Sequence, residues 1–240
     1  MARVLLRLVL AAEEPVLARR WDARLDLGFA VSGARTALVH RSHYGPLQVQ
    51  RPFYPEGTAC HVYLLHPPGG LVGGDRLSIH VTAAAGAEAL LTTPAATKFY
   101  RTAGATAEQH VFIRVEAGAS VEWLPQETIV FAGARGESTV DVEVASGARF
   151  LCWEVSCLGR PASGDRFERG SFVQRTSIRV DGRPVSIERA TFEGGSPALH
   201  RRTALAGFPV TGSFVAVTDR TDLAEQVLAV LPAPAPTDLF

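Results

Sequence analysis

Ser78-Ile79-His80-Val81-Thr82, a short turn at Gly86-Ala87, then Ala89-Leu90-Leu91-Thr92-Thr93: this stretch decides the fold. Each run is strand-like, and the glycine between them supplies the positive φ of a tight turn. The arrangement recurs. Val111–Val115, Gly118-Ala119 and Val121-Glu122-Trp123-Leu124 form a second copy; Val140–Val144, Gly147-Ala148 and Phe150–Val155 form a third. The turn glycines are 32 and 29 residues apart. A looser fourth copy runs Ser177–Val180, Asp181-Gly182, Val185–Glu188. Strand, turn and strand at a near-fixed period predict stacked units, none able to bury its apolar face alone. A meander with coincidental spacing is the competing reading. Either way the chain is mainly β, an all-β single domain over residues 1–240. The first reading makes it a superhelix-like stack of β-hairpins with one or two α-helices near the C-terminus.

Just before the first unit stands His66-Pro67-Pro68-Gly69-Gly70-Leu71-Val72-Gly73-Gly74-Asp75, between the strand-like runs Cys60–Leu65 and Arg76–Val81. A phosphate loop needs a Gly-Lys pair, and none exists here. A dinucleotide fingerprint needs a helix after it, yet the residues past Asp75 alternate with a period of two. No G-x-S-x-G elbow accompanies it as an oxyanion loop would require. What remains is a tight crossover between strands, where glycine allows close backbone approach.

Outward from these units, Trp21–Phe29 alternates as a strand does. Thr36–His40 begins another, broken at Tyr44-Gly45-Pro46 and resumed at Leu47–Gln50 before Pro52. Asp222 with Glu225 three residues on fits a helix start, followed by the stripe Leu223, Val227, Leu228, Val230 and Leu231. Pro232 closes it, and Pro232–Pro236 reads as a stiff linker. Val4–Ala12 is apolar but interrupted by Arg7, so it lacks the unbroken core of a signal peptide. No run approaches a membrane span. With 47% apolar and 20% charged residues and a formal net charge of zero, neither nucleic acid nor an acidic membrane is an expected partner. Cys60, Cys152 and Cys157 are odd in number and lack C-x-x-C spacing, which favours a reducing, cytoplasmic compartment.

Chemistry-bearing residues are few. His40-x-x-His43 and Cys60-His61 are the close donor clusters, but neighbours on a strand point to opposite faces, so Cys60 and His61 cannot ligate together. Without a nearby His, Cys152 and Cys157 read as small buried hydrophobes. The second strand of each unit ends in a polar corner: Thr92-Thr93-Pro94, Pro125-Gln126-Glu127, Glu154 and Glu188, with Arg51-Pro52 upstream. Stacked in register, these corners would fall along one side. On their own, Asp75, Glu127, Glu154 and Glu188 read as halves of structural ion pairs, with Lys98 (the only lysine) and Arg101 as plausible partners. The uncharged run Thr128–Ala134 is either a core strand or partner surface.

Four blocks, CHVYLLHPPGGLVGGDRL, LLTTPAATKFYR, VEWLPQETIVF and CWEVSCLGRP, resemble in content and order the urease accessory protein UreD (UreH) family over most of Trp21–Val217. The resemblance implies a non-enzymatic scaffold or metallochaperone for nickel insertion into apo-urease, with no tightly bound cofactor and nickel in transit. It implies a complex with UreF, the GTPase UreG and the urease apoprotein, and an internal route for the metal. On that route Asp75, Glu127, Glu154 and Glu188 are the expected transient donors; Thr93, Thr97, Lys98 and Arg101 are supporting residues. UreD-like chains usually continue into a further strand and helix, a tail not present in this sequence. The reading from another class is a β-solenoid hydrolase or lyase acting through two of the carboxylates.

Overall fold

The computed structural model describes residues 21–230. The strands build two facing sheets. In the first, β1 (Asp22–Ser32), β5 (Arg76–Ala83), β8 (Ala107–Val115), β11 (Arg135–Val144) and β13 (Ser171–Val180) run parallel; β2 (Arg35–Tyr44) and β14 (Arg183–Glu193) close its edges antiparallel. In the second, β4 (Cys60–Leu65), β6 (Glu88–Thr92), β9 (Ser120–Trp123) and β12 (Arg149–Leu158) run parallel, flanked by antiparallel β3 (Gln48–Val49) and β15 (Val210–Val217). β7 (Thr97–Phe99) and β10 (Thr128–Val130) stack parallel beside the second half of β12. The result is a β-solenoid of four coils, with one short helix, α1 (Leu223–Val230), after the last strand.

Stacking at the expected period is present, but the pairing inside a unit is not a hairpin. β5 and β6, β8 and β9, and β11 and β12 lie in different sheets. At Gly86, Gly118 and Gly147 the chain therefore arches from one sheet to the other, and every strand bonds to its counterpart in the next coil. Each arch closes with the same turn bond, from Ala87 N to Ala84 O, Ala119 N to Glu116 O and Ala148 N to Ala145 O, at 2.9, 3.0 and 3.0 Å. The three alanines are buried beneath the arches. The fourth copy is a true hairpin, Val180 pairing with Arg183 across Asp181-Gly182.

Alternation then fills the interior. Leu25, Ile79, Val111 and Val140 occupy one inward row, and Leu27, Val81, Ile113, Val142 and Ile178 the next; all are buried. Each such side chain stabilises the fold by about 1.5–3 kcal/mol. The glycine-rich segment is the predicted crossover. It carries the chain from β4 to β5 and lies in register under β7: Leu71 N donates to Lys98 O at 2.7 Å, and Tyr100 N to Leu71 O at 2.9 Å. Side chains of Tyr100 and Thr102 and the neighbouring backbone close in on these glycines. A Cβ on Gly70 would come within 2.7 Å of the Lys98 carbonyl oxygen, one on Gly73 within 2.7 Å of that of Ala105. The run Thr128–Ala134 resolves as core: β10 sits between β7 and β12, with Val130 and Ala134 buried. Leu223 and Val227 of α1 are half-buried and its other residues exposed, while Leu231, the Pro-Ala run and Val4–Ala12 lie outside the described residues.

Candidate functional site

One inward row breaks the apolar rule. Leu77, Gln109, Ser138 and Gln174 stand side by side on β5, β8, β11 and β13. The row beside it turns polar in the last coil, where Thr176 follows Val140 and pairs with Glu188 of β14. From the opposite sheet, Glu154 and Ser156 of β12 share the inward phase of buried Phe150, Cys152 and Leu158. Buried polar groups demand partners. Ser156 Oγ donates to Gln174 Oε1 at 2.8 Å, and Thr176 Oγ1 donates to Glu154 Oε2.

Three cavities follow this polar line between the sheets. The first, about 350 Å³, is lined by Leu64, His66, Leu77, Thr93, Thr97 and Gln109. The second, about 20 Å³, shares Thr97 and Gln109 with it and adds Ser138, Ser156, Gln174 and Glu154. The third, about 290 Å³, shares Gln174 and Glu154 and adds Thr176, Glu188 and Ser213. Burial pushes the Glu154 carboxyl up, against hydrogen bonds from Thr176 and Gln174 that favour its anion; the nearby charge of Glu188 adds to the rise. At the opposite mouth burial holds His66 below the ordinary imidazole value, while Asp75 draws it back up.

The four acids are therefore not one series. Glu154 and Glu188 line the same cavity. Asp75 is buried and braces the crossover, accepting from Val72 N at 2.9 Å and Trp21 N at 3.2 Å. Glu127 sits at a stacked corner, its carbonyl oxygen accepting from Thr97 N at 3.0 Å, and its charge acts on Cys157. The corners at 93 and 126 do stack: Gln126 N donates to Thr93 Oγ1 at 3.0 Å. Thr97 faces the interior. Lys98 Nζ donates to Ala96 O at 3.2 Å, and exposed Arg101 lays its stem against Gly133. Among the described residues no ion pair joins Lys98 or Arg101 to these acids.

The thiols are inert packing groups. Burial raises Cys60 and Cys157, and pushes Cys152 up to about 12. Among the described residues no group of three or more His, Cys, Asp or Glu converges as a metal cage, and no helix is long and apolar enough to cross a membrane.

Residues 22–238 match the family of UreD urease accessory proteins. The chain belongs to the UreD family. It is 49% identical over 205 residues to the urease accessory protein UreD of Azoarcus sp., covering 85% of this chain and 72% of that one. Against the UreD of Dechloromonas aromatica identity is 46% over 207 residues, covering 86% and 72%. Against that of Pseudomonas entomophila it is 44% over 231 residues, covering 95% and 82%. UreD proteins are non-catalytic accessory proteins of urease, so the hydrolase or lyase reading falls, and Glu154 with Glu188 is not a catalytic pair.

Reasoning from corners missed Gln109, Ser138, Ser156, Gln174 and Thr176. The signal was alternation. Gln109 is in phase with Val111 and Ile113, Ser138 with Val140 and Val142, and Gln174 and Thr176 with Ile178. A polar residue in the apolar phase of three successive strands marks an interior stripe.

Proposed function

We propose that this UreD-family chain is a cytoplasmic scaffold that hands nickel toward apo-urease, in a complex with UreF and the GTPase UreG. The ion travels between the two sheets, along the polar stripe. The observation that carries this reading is the chain of three cavities joined by shared Thr97, Gln109, Gln174 and Glu154. A metal in transit must be held weakly at each step. Single amide, hydroxyl and carboxylate oxygens supply such stops, whereas thiolate and imidazole cages would retain it. Glu154 and Glu188, with Arg189 beside them, line one end of the route, and His66, on which the Asp75 charge acts, lines the other. Glu154 is kept from standing as a bare charge by burial and by Thr176 and Gln174, the part assigned to Lys98 and Arg101 from sequence. Three buried or half-buried free thiols support a reducing compartment.

The test compares Asp75→Ala, Glu127→Ala, Glu154→Ala and Glu188→Ala in purified complexes with UreF and UreG. Stoichiometry is checked first, then nickel per urease active site after activation. Loss is expected at Glu154 and Glu188 with the complex intact. Asp75→Ala weakens the complex itself, because two backbone amides lose their acceptor. Normal loading by the Glu154 and Glu188 variants would remove the route from this stripe.

A further inference from the structure

The outer surfaces of the two sheets differ. On the first, three charge pairs lie within the sheet, Arg24 with Asp26 and Arg76 with Glu108 at 2.8 Å and Arg179 with Glu143 at 3.5 Å, while among the described residues the side chains of Glu137 and Asp141 make no hydrogen bond or ion pair. On the second, three rows of outward side chains run across the strands. Tyr63, Thr92, Leu124, Trp153 and Phe214 form a largely apolar wall, with Trp153 39% and Phe214 52% exposed. Glu88, Ser120 and Arg149 form the opposite wall, Arg149 held to Glu88 at 3.4 Å. Between them run His61, Leu90, Glu122, Leu151 and Ala216; this middle row and the Glu88–Arg149 row line a trough of about 460 Å³, with the apolar row standing beside it, outside the lining. Glu56 stops one end, Arg220 and Leu223 the other.

We infer that this trough is a docking groove for an amphipathic α-helix of a partner protein, apolar on the Trp153 side and basic over Glu122, lying along the solenoid axis. The walls are four residues apart along each strand, roughly 13 Å, and a helix with its side chains is about 10–12 Å across. Strands follow one another every ~4.8 Å while a helix advances ~5.4 Å per turn, so one turn meets one strand. Crossing from His61 on β4 to Ala216 on β15 takes roughly 19 Å, or about 13 helical residues. Charge selects the occupant. Arg149 is taken by Glu88 and Arg220 by Asp222, which leaves Glu56, close to His61, and Glu122. Among the described residues the Glu122 side chain takes part in no hydrogen bond or ion pair. A basic helix is favoured there and an acidic one repelled. α1 of a second copy does not fit, since its charged residue is Glu225.

This inference rests on the scaffold reading only in drawing the partner from the same assembly. A photo-crosslinking residue is placed at Leu90 or Leu151 in the full chain, and as controls at Asp141 or Glu143 on the first sheet. The chain is co-expressed with UreF, UreG and the urease subunits. The expected adduct at both trough positions is one peptide with apolar residues three and four apart and Lys or Arg beside them. Glu122→Lys then lowers capture roughly tenfold or more, Glu122→Gln lowers it less, and an acidic swap of the facing basic residue restores the Glu122→Lys variant. Adducts from the first sheet alone, a second copy of this chain in the trough, or an acidic or non-helical peptide would overturn the inference while a normal pull-down leaves the scaffold reading standing. No complex at all in the pull-down sinks both.

Discussion

The turns at Gly86, Gly118 and Gly147 resemble those at Gly33 and Gly182 in sequence, yet the first three throw the chain across to the other sheet and the last two fold it back. The backbone separates them. In each arch glycine alone takes a positive φ, 72°, 70° and 75°, at the third residue of the turn; the residue before it stays negative. That is the signature of a type II turn, whose twist splays strands apart. At Ser32–Arg35 glycine is instead the second residue of the turn, with φ 63°, and across Val180–Arg183 both Asp181 and Gly182 are positive at 48° and 74°. These are the type II′ and I′ patterns, which match strand twist and permit pairing. Burial separates them too: Ala87, Ala119 and Ala148 are covered, while Ala34 is exposed. A glycine between two strands therefore reports a turn, and its place within the turn reports which sheet comes next.

The largest expected effect tests burial. Ala119→Leu overpacks the space beneath an arch and costs about 1–3 kcal/mol. Ala34→Leu, on an exposed hairpin, stays within about 0.5 kcal/mol. Urea midpoints of the two variants, in the UreF-bound form if the free chain is insoluble, check the contrast; equal costs would mean the arches are not packed against the interior. Gly118→Ala and Gly182→Ala are a smaller pair. Both force a positive φ on a side chain and should lose about 1 kcal/mol alike, so that glycine strain does not distinguish arch from hairpin. A loss confined to Gly118 would break that equivalence.

The period, the strand positions and the crossover at Gly69–Gly74 were legible in the sequence because spacing and alternation are local. Pairing was not, since Ser78–Thr93 fits a hairpin and an arch equally until the turn type is known. The site was legible in part. Glu154 and Glu188 are readable as acids at strand ends, Glu127 carries the same signal although the three cavities do not include it, and Lys98 alternates away from inward Thr97 and Phe99. Gln109 and Gln174 escaped notice because neutral side chains carry no charge signal, although their phase betrays them.

A pH effect sharpens the contrast between Glu154 and the apolar groups around it. Its folded value is raised from the ordinary 4.5, so its contribution is full below that value and is lost as pH rises through the folded one. Glu154→Gln keeps an acceptor for Thr176 and removes the loss. Melting midpoints of variant and parent should therefore agree at about pH 4 and diverge in the variant's favour toward about pH 7. A difference independent of pH would show that the carboxyl is not protonated on folding.

The most direct measurement concerns the middle of the stripe, where Gln109 and Ser138 meet in the narrowest of the three cavities. Gln109→Leu and Ser138→Val keep the bulk and remove the oxygens; Glu143→Gln on the outer face is the control. Complexes of equal stoichiometry are assayed for nickel per urease active site after activation. The interior account predicts a severalfold fall for Gln109→Leu and Ser138→Val, deepest in the double variant, with Glu143→Gln at the parent level. Full loading by the double variant would contradict it.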